Sequence, residues 1–320
     1  MQQKILITRK LPTSIYEKLA NHFAVTMWEQ EDTPIPREVL LKRIKEVDGI
    51  FCLITETIDR EVMEAAPNLK VISNMAVGYN NIDVEEASKR NIVVTNTPGV
   101  LTETTADLTL ALMMATARRL MYANDCLHHG KWKTWSPFQF TGKDIYGATL
   151  GIIGFGRIGQ AVAKRATGFD MNILYYNRSR KWEEEKALGV SYVDLNRLLQ
   201  QSDYVCLLVP YNEETHHLIG SHELNLMKDS AVLINTARGG IVDEKALYKA
   251  LKNNQLWGAG LDVFANEPVN PEHPLLSLPN VVALPHIGSA SLATRMKMAQ
   301  LAADNLLNAL QAKGSVKRVN

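Results

Sequence analysis

Three side chains with complementary chemistry, Arg238, Glu267 and His286, each follow a short apolar run in the second half of this 320-residue sequence. Such runs are typical of buried strands, and ligands bind at the carboxyl ends of the strands in open α/β sheets. An Arg can hold a carboxylate, an imidazole can exchange a proton near neutral pH, and a carboxylate can support the imidazole. These residue types predict a site that can bind a carboxylate and protonate an oxygen.

Each of these residues also has a purely structural interpretation. A single Arg after a strand is commonly a surface cap, and a single His in a loop is commonly solvated. Glu267, which precedes Pro268, could be a turn residue, and Asp262 could cap a helix or a turn. The surrounding motifs must therefore decide between the two interpretations.

A glycine motif lies between a predicted strand over 149–153 and a predicted helix over 157–168. Gly154 allows a tight turn, Gly156 lets backbone N–H groups approach a pyrophosphate, and Gly159 lets the helix pack closely on the strand. A plain strand-to-helix turn could carry the same glycines, but here strand, motif and helix occur together in the required order. The sequence predicts a dinucleotide-binding site at this helix.

The next predicted strand ends without the Asp or Glu that commonly binds the adenosine ribose of NAD. Asn177, Arg178 and Ser179 stand there instead and offer neutral and cationic donors, with further charge from Arg180 and Lys181. A solvated basic loop would explain the cations but not the missing acid. We predict that NADP(H) is preferred, with NAD(H) as the alternative cofactor.

Composition excludes several classes of protein. The net charge of +1 gives no overall field to attract nucleic acid or an anionic membrane. Cys52, Cys126 and Cys206 are far apart and form no ligand pattern, and the longest uncharged apolar stretch, 108–117, is about half a membrane span. We expect a cytoplasmic protein with buried thiols and with neither nucleic-acid nor membrane partners.

Other candidate motifs carry less weight. The adjacent histidine pairs at 128–129 and 216–217 lack the third ligand that a zinc site requires, so no metal is expected. The sequence contains neither G-x-S-x-G nor G-x-x-x-x-G-K-[ST], which disfavours a serine hydrolase and a P-loop ATPase.

Apolar runs alternate with segments of helical spacing, which predicts the α/β class with two doubly wound parallel sheets. The predicted strands cover 4–8, 23–28, 49–55, 69–75, 92–96, 149–153, 172–177, 204–209, 231–236, 258–263 and 281–284. The predicted helices cover 12–21, 36–47, 59–66, 83–90, 102–120, 157–168 and 290–312, and the segment 121–145 reads as irregular.

The restart of this alternation near residue 149 predicts two domains with a cleft between them. Because no strand follows the helix over 290–312, we expect it to cross back to the first domain. The predicted substrate-binding domain is therefore discontinuous, with residues 1–100 and 288–320, and the dinucleotide-binding domain spans 101–287.

The chain resembles the D-isomer-specific 2-hydroxyacid dehydrogenases over essentially its whole length. The stretches that carry the likeness, in the family's order, are GVLTETTADLTLALMMATARRL (99–120), GIIGFGRIGQAVAKR (151–165), INTARGGIVDEKAL (234–247), GAGLDVFANEP (258–268) and LPHIGSAS (284–291). Within the family, VGYNNIDVEEA (77–87) and GKWKTW (130–135) are most similar to the glyoxylate/hydroxypyruvate reductases and their 2-ketogluconate reductase relatives.

The resemblance implies a flavodoxin-like substrate domain, a Rossmann nucleotide domain and roles for three residues. Arg238 would anchor the substrate carboxylate and polarise the 2-oxo group, and His286 would donate the proton as hydride reaches the carbon. Glu267 would hold the imidazolium form of His286 and raise its pKa. The residues implied to meet the substrate are Leu53, Ala76, Val77, Gly78, Arg238, His286 and, from a neighbouring subunit, Trp135.

The resemblance also implies a set of cofactor contacts. These are Thr105, Gly154, Phe155, Gly156, Arg157, Ile158, Gly159, Asn177, Arg178, Ser179, Pro210, Thr215, Thr236, Ala237, Arg238, Asp262, His286 and Gly288. Backbone N–H groups of the loop 76–78 would bind the substrate carboxylate.

The function expected from these features is NADPH-preferring reduction of glyoxylate to glycolate and of hydroxypyruvate to D-glycerate. The family likeness further implies a homodimer formed through the nucleotide-binding domain. A 2-ketogluconate reductase with the same mechanism is one alternative. A nucleotide-sensing binding protein without turnover is the other.

Overall fold

The computed structural model describes residues 2–320 and confirms the predicted α/β class. The strands are β1 (Lys4–Ile7), β2 (Ala24–Met27), β3 (Gly49–Cys52), β4 (Val71–Asn74), β5 (Val93–Thr95), β6 (Thr149–Ile153), β7 (Asn172–Tyr176), β8 (Ser191–Tyr192), β9 (Tyr204–Leu207), β10 (Val232–Asn235), β11 (Gly258–Leu261) and β12 (Val281–Ala283). The helices are α1 (Thr13–Ala20), α2 (Arg37–Arg43), α3 (Arg60–Glu64), α4 (Val84–Lys89), α5 (Thr102–Ala117), α6 (Leu120–His128), α7 (Arg157–Ala166), α8 (Trp182–Leu188), α9 (Leu195–Gln201), α10 (Ser221–Leu226), α11 (Glu244–Lys252) and α12 (Leu292–Gln311).

The chain forms two units, and the first of them uses both ends of the sequence. The N-terminal unit consists of Met1–Leu101 and Ser291–Asn320, and the central unit consists of Thr102–Ala290. Each unit has its own sheet and its own hydrophobic core.

The N-terminal unit contains a parallel sheet with the strand order β2-β1-β3-β4-β5, which is the flavodoxin-like order predicted above. β3 and β4 are buried along their whole length, as expected for central strands covered on both faces. The helix α12 packs on β3 and β4, where the Ser73 hydroxyl donates to the Ala302 carbonyl at 2.7 Å. α12, the last helix, therefore covers part of the sheet of the N-terminal unit.

The central unit contains a parallel sheet with the order β12-β11-β10-β9-β6-β7-β8. When β6 is counted as the first strand, the sheet has the Rossmann order with one additional strand. Strands are added first on one side of β6 and then, from β9 onwards, on its other side. Alternate residues of β9 enter different cores: Val205 and Leu207 join one cluster, and Tyr204 and Cys206 join the other. Helices therefore cover both faces of this sheet.

The segment predicted as irregular, 121–145, is partly helical, so that prediction was wrong. α5 ends at Ala117 rather than at residue 120, Arg119 has a φ of +53°, and α6 then runs from Leu120 to His128. α6 buries Cys126 but leaves Leu120 and Leu127 about half exposed. The sequence of α6 shows no apolar stripe at helical spacing. Such a stripe is the pattern that predicts a surface helix.

All three cysteines, Cys52, Cys126 and Cys206, are buried free thiols, as expected. None of the helices in the described range 2–320 combines the length and the apolar composition that a membrane span requires.

Candidate active site

The turn between β6 and α7 is shaped by two glycines that cannot be replaced without displacing backbone. Gly154 has a φ of +100°, and a Cβ there would lie 2.6 Å from the Leu208 carbonyl carbon. A Cβ on Gly159 would lie 2.3 Å from the Gly154 carbonyl oxygen. α7 therefore starts in direct contact with the turn, as the dinucleotide-binding motif requires.

The start of α7 fits a pyrophosphate. Gly156 is the N-cap residue, no described side chain caps the helix there, and a Cβ on Gly156 would meet no described atom within 4 Å. The helix therefore presents its first N–H groups, those of Arg157 and Ile158 among them, to open space at the positive end of its dipole. The side chain of Phe155 is buried, so this residue faces the turn only through its backbone.

Asn177 connects the glycine turn to the end of β7. Its Oδ1 accepts the Phe155 N–H at 3.3 Å, and its Nδ2 donates to the Ser179 carbonyl at 2.9 Å. An Asp at this position could accept the same N–H, so the glycine turn itself does not require the amide. The neutral amide of Asn177 is therefore available to discriminate between cofactors.

Two cations that follow Asn177 have different surroundings. Arg178 is 86% exposed and its guanidinium lies 3.2 Å from the Glu214 carboxylate. Arg180 is bound by Glu185 through two hydrogen bonds of 2.8 Å and lies over the Trp182 ring. The charge expected from Arg180 is thus neutralised by Glu185, and Arg178 is the cation with an open side chain.

Pro210 and Thr215, both expected cofactor contacts, meet in one turn after β9. The Thr215 hydroxyl donates to the Pro210 carbonyl at 2.8 Å, and Asn212 and Thr215 cap each other reciprocally. Glu214, the partner of Arg178, belongs to this turn. The turn and the end of β7 therefore lie side by side.

Asp262 and Gly288, both expected cofactor contacts, are joined through the buried Asp262 carboxylate. Asp262 accepts the N–H groups of Ile287 at 2.7 Å and Gly288 at 2.8 Å. A Cβ on Gly288 would lie 3.6 Å from the Thr105 side chain. Burial raises the pKa of Asp262, although both N–H donors oppose that shift. Asp262 therefore fixes the segment that follows β12.

Thr236 and Thr105 are linked through Thr109, which the sequence reasoning missed. The Thr109 hydroxyl lies 2.8 Å from the Thr236 hydroxyl and donates to the Thr105 carbonyl at 2.8 Å. Ala237, next to Thr236, donates its N–H to Asn235 Oδ1 at 3.1 Å. The available signal for Thr109 was a single polar residue among the apolar residues of 108–114.

Arg238 follows β10 in a turn fixed by hydrogen bonds. Asn235 Nδ2 donates to the Arg238 carbonyl at 2.9 Å, and Arg238 Nη1 donates to the Ala237 carbonyl at 2.7 Å. Burial lowers the pKa of Arg238, and the charge of Glu267 acts in the opposite direction. The protein thus places a half-buried cation near a carboxylate at the strand end.

His286 and Glu267 form a close pair. His286 Nδ1 lies 2.6 Å from Glu267 Oε2, and Glu267 Oε1 accepts the Phe264 N–H at 2.9 Å. Burial alone would raise the pKa of Glu267, but the hydrogen bond and charge of His286 bring it below its ordinary value. Glu267 is therefore ionised at neutral pH and oriented towards the imidazole.

The backbone of His286 is left-handed, with a φ of +55°, a conformation rare for a non-glycine residue. The His286 N–H donates to the Asp262 carbonyl at 2.9 Å and so helps to hold this conformation. Because Nδ1 faces Glu267, Nε2 is the ring nitrogen left to exchange a proton with a ligand. Arg238, Glu267 and His286 follow three neighbouring strands, and together they can bind an anion and protonate an oxygen.

In the N-terminal unit, the loop after β4 is pinned by amide side chains. Asn96 Nδ2 donates to the Val77 carbonyl at 2.8 Å, and Asn74 Nδ2 donates to the Gly78 carbonyl at 3.1 Å. In a trans peptide the carbonyl and the next N–H point in opposite directions, so the N–H after each of these carbonyls faces away from the amides. The Ala76 N–H is different, because it is bonded to the Asn74 carbonyl at 2.8 Å.

Leu53 lies in the neighbouring loop of the same unit. Asn81 Nδ2 donates to the Leu53 and Glu56 carbonyls, both at 3.0 Å, and Asn81 Oδ1 accepts from Asn74 Nδ2 at 3.2 Å. Asn74 and Asn81 therefore join the two loops that carry the expected substrate contacts. Sequence reasoning missed both residues, although the pair Asn80-Asn81 was visible in the motif at 77–87.

Trp135 is not part of this arrangement. It lies in the segment after α6 with 75% of its surface exposed. Its expected contact with substrate requires a second chain and stays a prediction.

Comparison with known proteins identifies the family. Residues 110–288 match the family model described as "D-isomer specific 2-hydroxyacid dehydrogenase, NAD binding domain". This segment lies within the central unit, which is therefore an NAD(P)-binding domain.

Similar proteins match over nearly the full chain. Glyoxylate reductases from Korarchaeum cryptofilum and Thermococcus kodakarensis are each 53% identical, covering 96% of this chain and 92% and 93% of the relatives, respectively. A crystal structure of an NADPH-dependent glyoxylate/hydroxypyruvate reductase from Sinorhizobium meliloti, in complex with NADP and malonate, is 35% identical. It covers 100% of this chain and 97% of that one, with a TM-score of 0.86. The chain belongs to the D-isomer specific 2-hydroxyacid dehydrogenase family.

Proposed function

We propose that the protein is a glyoxylate reductase, which reduces glyoxylate to glycolate and hydroxypyruvate to D-glycerate and prefers NADPH. The observation that carries the proposal is the 2.6 Å contact between His286 and Glu267, with the cation of Arg238 at the adjacent strand end. The names of the archaeal relatives support glyoxylate as the substrate.

Each of the three residues has one task in the proposed reaction. Arg238 binds the substrate carboxylate and polarises the 2-oxo group. Bound NADPH supplies the hydride to the carbonyl carbon. His286 Nε2 donates a proton to the oxygen, and Glu267 stabilises the imidazolium before that transfer. His286 is 26% exposed, so it can regain a proton from solvent.

The proposed preference for NADPH depends on the end of β7. A carboxylate there would repel a 2′-phosphate, whereas Asn177 is neutral and Arg178 extends its guanidinium into solvent. Arg178 would exchange its exposed partner Glu214 for the phosphate, and exposed ion pairs contribute little stability. The Sinorhizobium meliloti relative is NADPH-dependent, which supports the same preference.

Asn177→Asp should reverse the cofactor preference. The carboxylate can still accept the Phe155 N–H, so the glycine turn remains intact, but it repels a 2′-phosphate and accepts a ribose hydroxyl. We expect the ratio of kcat/KM for NADPH over NADH to fall by about tenfold or more, equivalent to about 1.4 kcal/mol. Asn172→Asp, at the opposite end of β7, is the matched control and should leave the ratio unchanged.

The substrate is tested with initial rates for glyoxylate, hydroxypyruvate and 2-ketogluconate, each with NADPH and with NADH. The proposal expects the highest kcat/KM with glyoxylate and NADPH. A higher value for 2-ketogluconate would make the protein a sugar-acid reductase. Binding of NADPH without oxidation by any of the three substrates would favour the nucleotide-sensing alternative.

We further propose a homodimer formed through the central unit. Large apolar side chains are exposed on α6 and in the segment after it: Leu120, Met121, Tyr122, Leu127, Trp132, Trp135, Phe138 and Tyr146. Exposed apolar surface of this extent is typical of a protein interface.

The double variant Trp135→Ala/Phe138→Ala should shift the protein towards monomer in sedimentation velocity. These side chains are 75% and 86% exposed, so their removal should cost the isolated chain little stability. Leu292→Ala, which removes an 83% exposed side chain from α12, is the control and should not change the sedimentation coefficient. A dimer that persists in the double variant would contradict this interface.

A further inference from the structure

Glu244, at the first position of α11, contacts the loop that carries Glu267. Glu244 Oε1 accepts the Ala265 N–H at 2.7 Å. The preceding residue, Phe264, donates its N–H to Glu267 Oε1 at 2.9 Å. Two carboxylates therefore hold two consecutive N–H groups of one loop, and one of these carboxylates is the partner of His286.

The same two residues of this loop also support the Arg238 turn. A Cβ on Gly239 would lie 1.8 Å from the Phe264 carbonyl carbon and 2.2 Å from the Ala265 nitrogen. Backbone packs on backbone here, so a shift of Phe264–Ala265 would displace the turn that carries Arg238. The position of Ala265 thus affects all three residues that the proposed reaction uses.

His273 is the second contact of Glu244. His273 Nε2 lies 3.3 Å from Glu244 Oε2, and the His273 ring meets the Phe264 ring edge-on with centroids 6.0 Å apart. His273 Nδ1 is buried and has no hydrogen-bond partner among the described residues. The His273 side chain is 25% exposed, but an unsatisfied buried nitrogen still costs stability, which its contacts with Glu244 and Phe264 help to offset.

We propose that Glu244 and His273 are positioning residues for the reaction: they hold Phe264–Ala265 so that Glu267 meets His286 and Arg238 keeps its place. This inference rests on the proposed reductase function. Neither residue touches the reacting atoms, so they act through the loop. The pair repeats the carboxylate–imidazole arrangement of Glu267 and His286.

The test compares Glu244→Ala with Glu244→Gln. Both variants lose the charge at the start of α11, but only the glutamine keeps an oxygen that can accept the Ala265 N–H. We expect Glu244→Ala to lower kcat by about tenfold to a hundredfold, because small displacements of reacting groups have effects of this size. The KM for NADPH should stay within about twofold, and Glu244→Gln should recover most of kcat.

A matched control removes the same kind of bond elsewhere. Glu223 accepts the Gly220 N–H at 3.0 Å at the start of α10, and Glu223→Ala should leave kcat unchanged. His273→Phe keeps a ring against Phe264 and should lower kcat less than Glu244→Ala does. The solvent deuterium isotope effect on kcat should increase in Glu244→Ala, because proton donation by His286 becomes slower.

A proton resonance gives a readout that does not depend on turnover. The 2.6 Å contact between His286 and Glu267 should place the shared proton well downfield in the NMR spectrum, and His286→Ala assigns that signal. The signal should be lost or broadened in Glu244→Ala and retained in Glu244→Gln.

Wild-type kcat together with an unchanged downfield signal in Glu244→Ala would overturn the inference, and so would equal loss in both Glu244 variants. A wild-type protein that reduces none of the three substrates would refute the proposed function instead. The NMR comparison would still decide the positioning role in that case.

Discussion

His286→Ala should reduce kcat for glyoxylate by on the order of 10²–10⁴-fold, the usual contribution of a well-placed general acid. The KM for NADPH should change less than kcat, because the other expected cofactor contacts at the glycine turn and at the end of β7 lie far from β12 in the sheet order. Fluorescence titration of NADPH checks binding, and stopped-flow absorbance checks hydride transfer. His222→Ala, on the exposed surface of α10, is the control.

The pH profile of kcat in Glu267→Gln tests the pair of His286 and Glu267. Glu267 has a pKa below its ordinary value of 4.5, so its carboxylate should stay charged until the solution is more acidic than that. The amide cannot carry the negative charge beside His286. The wild type should lose the Glu267 carboxylate only below pH 4.5, and this acid limb should be absent from Glu267→Gln, whose kcat should be lower at every pH. An acid limb retained in Glu267→Gln would contradict the role assigned to Glu267.

Arg238→Gln should lower kcat/KM for glyoxylate by roughly 30-fold to several thousandfold. Loss of a buried charge partner costs about 2–5 kcal/mol, and each 1.36 kcal/mol is tenfold in rate. The effect should appear in both KM and kcat, because the guanidinium binds the carboxylate and also polarises the carbonyl.

Arg238→Lys separates charge from geometry. Lysine keeps a cation but not the planar fork that matches a carboxylate, so it should recover only part of the lost kcat/KM. Arg197→Gln, on an exposed part of α9, should leave the kinetics unchanged. Full activity in Arg238→Lys would show that charge alone suffices. Full activity in Arg238→Gln would remove Arg238 from the proposed reaction.

The sequence predicted those parts of the protein whose local pattern favours one type of structure. The short apolar runs at β9 and β10 favoured buried strands, and Gly154, in its motif before α7, favoured a turn with a positive φ. The sequence also indicated that Arg238, Glu267 and His286 follow strands. Because those strands are neighbours and parallel, their carboxyl ends meet at one edge.

The remainder depends on contacts between residues far apart in sequence. Nothing in the local pattern shows that Asn81 joins two loops or that Glu244 reaches Ala265. The hydrophobic pattern likewise gave no signal for α6, because the apolar residues of this helix are exposed and form no stripe that faces a core. Long-range hydrogen bonds and unburied apolar faces are therefore what one sequence leaves undetermined.

The division of the N-terminal unit between the two ends of the chain has a consequence during protein synthesis. β1–β5 leave the ribosome early, but α12, which covers β3 and β4, emerges only after the whole of Thr102–Ala290. At about 5–20 residues per second this delay is roughly 10–40 s, during which the face of β3 and β4 that α12 will cover has no helix over it. The nascent chain should therefore bind chaperones through that face, and its folding yield should depend on them.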